Sequence, residues 1–181
     1  HDVFDCPVIL VEPQPDQRAV LDRLAQKKPF TVEPFALAAE KGILRFQLQQ
    51  TNSRLVADAE SDGDGLTHIE VAVDRLDRML TRHPAQHPNL LKEDVQGFEL
   101  AVLDGAGGAL VQFEVVILEV SLIRIGPVPV FAEVLAYMAA RGYRLYDFLP
   151  MYYRPLDGSL WQGDAFFVRN ESALVACEDW E

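Results

Sequence analysis

Strand-like and helix-like stretches alternate along most of this chain, and that alternation limits its possible folds more than any other feature. Val8-Ile9-Leu10-Val11 is an unbroken apolar run closed by Pro13 and Pro15, the pattern of a strand covered on both faces. Residues 16–27 then place Val20, Leu21 and Leu24 at helical spacing, which completes one β-α unit. Residues 30–37 read as a second short strand, and Leu44, Phe46 and Leu48 alternate with polar neighbours as a strand with one exposed face does. Between Thr51 and Gly65, Asn, Ser, Asp and Gly cluster into a loop, within which Asn52 and Ser53 are ordinary turn residues or part of a binding segment. Ile69, Val71 and Val73 alternate again, Asp74 is predicted to cap a short helix through Leu80, and residues 82–88 form a connector.

The second half repeats the rhythm. A strand is predicted at 89–94 and a helix at about 97–110, with Leu100, Leu103, Ala106 and Leu110 on one face. Val115 to Val120 read as a strand, Val130 to Arg141 as an amphipathic helix and Tyr143 to Phe148 as another strand. Asp157-Gly158 signals a hairpin whose returning strand includes Ala165 to Val168. Strands separated by helices require right-handed crossovers, so the expectation is a single α/β domain over residues 1–181 with a mainly parallel sheet and a C-terminal antiparallel hairpin.

Charge narrows the choice of partners. A formal net charge of −12 repels phosphate backbones and anionic lipid, so neither nucleic acid nor a membrane is the expected partner. No apolar stretch approaches the roughly 18 residues of a membrane span and no leader pattern opens the chain, so a soluble, cytoplasmic protein is expected. Cys6 and Cys177 fit no metal or redox spacing and read as reduced thiols. His68 reads as a surface strand residue, and His83 and His87 as solvated connector residues; no zinc spacing is present.

In open sheets of this kind ligands sit beyond the carboxyl ends of the strands, where loops converge and helix N-termini point their free N–H groups. Three predicted strands reach an acid there: Glu12 after Val11, Asp94 after Glu93, and Glu119 after Leu118. Charges at strand ends are costly unless solvated, paired or used by a ligand, so the cluster is a functional hint. A solvated Glu12 and an Asp94 that caps the following helix are the plain alternatives.

The blocks NLLKEDVQGFELAVLDGA, VVILEVSLI, VFAEVLAYMAARGYRLYDF and RPLDGSLWQGDAFFVR, in that order and spacing, resemble the FkbM family of S-adenosylmethionine-dependent methyltransferases. The resemblance covers roughly residues 8–169 and is strongest from Asn89 onward. It implies the Rossmann-like class I methyltransferase fold, a doubly wound sheet, and O-methylation of a hydroxyl on a sugar or small natural product. By the same resemblance Glu12, with Pro13, binds the ribose hydroxyls of S-adenosylmethionine, and Ala36 and Leu37 contact the adenine. Asp94 and Gly97 match the family's Asp-x-x-Gly beside the methyl group. Asp94 is then the first candidate for the base that takes the hydroxyl proton, with Glu99 or Glu119 in reserve. Glu119, with Tyr153 and Trp161 of the terminal hairpin, is expected to wall the acceptor site, plain packing being the alternative for the two aromatic residues.

The resemblance also implies a first strand and Gly-rich turn about 20 residues ahead of the ribose acid, by analogy with dinucleotide folds. Only eleven residues precede Glu12, and residues 1–7 contain no glycine. Two expectations follow: the chain is a fragment whose first strand lies upstream, or Val8 to Val11 pair with another strand, as in a homo-oligomer joined through an exposed sheet edge. The rival to an enzyme is a methyltransferase-like binding or assembly module without a complete cofactor site.

Overall fold

A computed structural model describes residues 6–48, 53–56, 67–124 and 128–177. Asn52 and most of the predicted 51–65 loop lie outside them. The chain forms two compact units, residues 1–88 with 101–108 and residues 89–100 with 109–181.

In the first unit β1 (Val8–Val11) pairs in parallel with β2 (Phe30–Glu33), and α1 (Pro15–Ala25) connects them. Pro15 opens α1 because its missing N–H and fixed φ suit the first helical position. Every residue of β1 is only half-buried and none of α1 is buried, so this strand is less covered than its apolar run predicts. Among the described residues β1 pairs with β2 alone.

The predicted 30–37 strand divides. Ala36 and Leu37 form β3 (Ala36–Leu37) in a second sheet of order β3-β6-β4-β5, with β4 (Gly42–Leu48), β5 (Arg54–Val56) and β6 (Thr67–Asp74). Glu33 ends β2, and Ala36 and Leu37 pair in parallel with Val73 and Asp74 instead. β5 falls inside what the sequence presents as loop. β4 pairs antiparallel with both β5 and β6. Phe46, Leu55, Val56, Val71 and Val73 build the core of this sheet with Leu76, Met79 and Leu80 of α2 (Leu76–Arg82).

Asp74 ends β6 and is not the helix cap; that position belongs to Arg75. Burial opposes charge on Asp74, but the Arg82 guanidinium at 2.7 Å and the Arg75 N–H at 2.9 Å outweigh it and hold the carboxyl below the usual range. Arg82 also stacks on Phe35, and His83, expected to be solvated, instead lies with its Nε2 2.5 Å from Glu33 Oε1.

The second unit carries the sheet β7-β8-β10-β9: β7 (Leu90–Glu93), β8 (Val115–Ser121), β9 (Tyr143–Tyr153) and β10 (Leu160–Arg169). β7 and β8 are parallel, whereas β10 is antiparallel to both β8 and β9. The hairpin is as predicted, with Gly158 at φ +70 in its turn. Its strands are longer than expected. α4 (Phe131–Ala139) buries Val134 and Met138. Val116, Leu118, Val120, Ala165 and Phe167 form one buried face of the sheet. Among the described residues the two four-stranded sheets are mixed and the two-stranded sheet is parallel, an α/β arrangement in which a doubly wound, mainly parallel sheet is not confirmed.

The helix expected at 97–110 is two pieces, α3 (Glu99–Ala106) and a 3-10 turn at Gly107–Gln112. Gly107 at φ +49 breaks the α geometry between them. Cys6 and Cys177 are exposed, and neither forms a disulfide among the described residues. Among the described residues no helix is long and apolar enough to cross a membrane, which says nothing of strands.

Candidate active site

Three acids converge at the end of β7 and β8 in the second unit. Asp94 follows the last residue of β7; Glu119 lies within β8, two residues before its end; Glu99 opens α3. Pairing of Lys92 with Ile117, of Asp164 with Glu119 and of Gln162 with Ser121 puts Lys92, Glu119, Gln162 and Asp164 on one face of the sheet, because side chains alternate along a strand. Lys92 Nζ donates to Asp164 Oδ1 at 2.8 Å, and Gln162 Nε2 donates to Glu119 Oε1 at 3.2 Å.

The turn joining β7 to α3 holds the group together. Gly97 has φ +106, and a Cβ there would lie 2.9 Å from Val128 Cγ2, so the glycine serves both its dihedral and its close approach. Its N–H donates to Glu99 Oε1 at 3.0 Å. Gln96, just before it, has φ +52, a left-handed conformation that costs a side-chain-bearing residue about 1 kcal/mol. From that position Gln96 Nε2 donates to Asp94 Oδ1 at 2.7 Å and to Glu119 Oε1 at 2.9 Å. Asp94 therefore accepts from the Gln96 amide.

Electrostatics follow from this crowding. Burial raises the Glu99 carboxyl above its ordinary range; the Gly97 N–H works against that, and the charges of Glu119 and Asp94 add to it. Burial likewise raises Glu119, with repulsion from Asp94 next. Glu93, one residue earlier, pairs with Leu118 and so points to the buried face. It is 3 % exposed, neither carboxylate oxygen has a partner, and burial followed by the charge of Glu99 raises it well above the usual range. Burial thus favours the neutral form of Glu93, a tendency the sequence did not reveal because an acid inside the run LLKED looks like its charged neighbours.

The structure brings together Asp94, Gly97, Glu99 and Glu119. Tyr153 is exposed at the tip of β9 and Trp161 lies on β10 beside Gln162, where the register with β9 is irregular; neither hydrogen-bonds to the acids. The Trp161 Nε1 donor is buried without a partner. In the first unit Glu12 stands after β1, half-buried, with its N–H bonded to Glu33 O at 3.0 Å and its Oε1 accepting from Gln14 N at 2.7 Å. Burial raises Glu12 and its bonds with Gln14 oppose that. Pro13 precedes α1, while Ala36 and Leu37 are held in β3. Lys92, Gln96 and Asp164 belong to the cluster and were missed; only the position of Gln96 within Asp-x-x-Gly hinted at its place. Among the described residues no group of three or more His, Cys, Asp or Glu side chains is arranged to hold a metal.

An α/β fold with a Gly-turn and acids after a parallel strand defines a class that includes methyltransferases. The crystal structure of methyltransferase FkbM from Methylobacillus flagellatus KT has a similar fold, with a TM-score of 0.52 at 16 % identity, over 89 % of this chain and 36 % of that one. The sequence profile of the Methyltransferase FkbM domain matches residues 5–145. The chain belongs to the FkbM methyltransferase family. No curated protein matches it.

Proposed function

We propose that the protein is a soluble, cytoplasmic enzyme that transfers a methyl group from S-adenosylmethionine to a hydroxyl of a sugar or small natural product. The observation that carries the reading is the gathering of Asp94, Glu99 and Glu119 around the Gly97 turn in a chain of this family. The donor set suits the cofactor: the carboxylates favour a cation, and the Glu12 carboxylate, which accepts from the Gln14 N–H, can exchange that bond for a ribose diol. In this reading Asp94 and Gly97 serve the methyl-bearing end, and the ribose role of Glu12 and Pro13 and the adenine role of Ala36 and Leu37 are what the family resemblance implies.

When bound, the cofactor supplies an electrophilic methyl on a sulfonium. The chain's part is to align the hydroxyl, exclude water and take the proton that the hydroxyl loses. Asp94 is the first candidate for that base and Glu99 the second. Burial makes Glu99 a stronger base than an exposed carboxylate, so where Glu99 acts, activity falls on the acid side at a pH above the ordinary carboxylate range. Glu119 orients the acceptor. The unpaired Trp161 N–H and the exposed ring of Tyr153 suit a sugar, which offers hydroxyl oxygens and C–H faces.

The expected partner is thus a small molecule, in line with the net charge of −12, and self-association would use a free sheet edge such as that of β1. Calorimetry with S-adenosylhomocysteine tests the assignment. Binding is expected, weakened about tenfold by Glu12→Ala through loss of a charge-assisted contact. A well-folded protein that binds neither S-adenosylmethionine nor S-adenosylhomocysteine would favour the non-catalytic binding or assembly module.

A further inference from the structure

Asp94 and Glu119 lie on adjacent chain segments and repel one another, yet one residue bonds to both. Gln96 Nε2 sits 2.7 Å from Asp94 Oδ1 and 2.9 Å from Glu119 Oε1. Ionised carboxylates only accept, so the amide must turn its two N–H groups toward them, one to each. This arrangement depends on the left-handed backbone at Gln96, which aims the side chain back across the turn. A strained residue at a turn persists where its surroundings over-determine it, and here the two carboxylates do so.

We infer that Gln96 is a positioning residue, an amide clamp that holds the Asp94 and Glu119 carboxylates together at the end of β7 and β8. The role in catalysis rests on the methyl-transfer reading; the clamp itself does not. Bonding to the charged forms offsets the repulsion that would otherwise drive one carboxylate to take up a proton or swing away. The groups facing Glu119 are Asp94 and Gln96 of the turn, Glu99 of α3, Lys92 of β7, and Gln162 and Asp164 of β10. Of these only Gln96 joins both acids. Gln162, at 3.2 Å, supplies a longer bond to Glu119 alone.

Gln96→Gly tests the clamp, because glycine adopts φ +52 without strain and preserves the turn while the amide is removed. Carboxyl titration by NMR in protein carrying isotope-labelled glutamate reads the effect directly. The Glu119 midpoint is expected to rise by about one unit, while Glu114, bonded to Ser172, keeps its own. Gln96→Asn, which tolerates a positive φ but is one methylene shorter, is expected to show the same rise. In parallel calorimetry S-adenosylhomocysteine affinity is expected to fall about tenfold in both variants. A Glu119 midpoint unmoved in both well-folded variants overturns the clamp. A midpoint that moves in a protein that binds no S-adenosylhomocysteine, wild type included, leaves the clamp standing and removes the methyl-transfer reading.

Discussion

Gly105→Ala is expected to lower the midpoint of thermal unfolding by about 5–10 °C. Alanine is the better helix former by about 1 kcal/mol, and Gly105 lies inside α3, so propensity alone predicts stabilisation. Packing reverses the sign. A Cβ on Gly105 would stand 2.3 Å from the carbonyl oxygen of Ala38 and 3.2 Å from its carbon, far inside contact distance. Ala38 cannot easily give way, since it is buried and its N–H is bonded to Asp74 O at 3.0 Å at the head of the β3–β6 pairing. Overpacking against fixed backbone costs about 3 kcal/mol or more, which exceeds the propensity gain. Gly108→Ala meets nothing within 4 Å and serves as the control, with a shift under about 1 °C. A Gly105→Ala protein as stable as the wild type would contradict the close approach of α3 to Ala38.

Replacing Glu93 should do the opposite and stabilise the protein, by an amount that depends on pH. Its carboxyl is buried without a hydrogen-bond partner and its affinity for a proton is raised well above normal by that burial. In acid below the ordinary carboxylate range the group is protonated in both folded and unfolded chains and contributes no pH-dependent term. As pH rises, the unfolded chain releases this proton while the folded one retains it. Stability therefore falls by up to about 1.4 kcal/mol per unit until the folded group also ionises. Glu93→Met, of similar shape and without charge, removes that loss. Near pH 7 the variant is expected to be more stable by about 1–4 kcal/mol, with the advantage shrinking toward pH 4. Thermal unfolding of both proteins across that range measures it. A difference that stays constant with pH would mean that Glu93 is not held neutral.

These two residues also mark where sequence reading succeeds and where it stops. Val115 to Val120, the 143–148 strand and the Asp157-Gly158 hairpin were legible because apolar runs and turn residues carry their structure locally. So was the Gly97 turn, whose glycine the sequence placed and whose φ of +106 explains it. Sheet pairing was not legible. Nothing in Ala36-Leu37 shows that it leaves β2 for β6, and the short segment Arg54–Val56 resembles its polar surroundings until it pairs with β4. Pairing is decided by partners distant in sequence, which periodicity does not encode. The same limit applied to the site: its acids were visible as strand-end charges, while Gln96 and Glu93 acquire their roles from neighbours that only the fold supplies.

The central claim is that the acids around the Gly97 turn handle a methyl donor, and NMR of the glutamate carboxyls during titration with S-adenosylhomocysteine tests it most directly. Saturable shifts at Glu99 and Glu119, with Glu114 unaffected, are the predicted result. Saturable binding that leaves both of those carboxyls unmoved would contradict it.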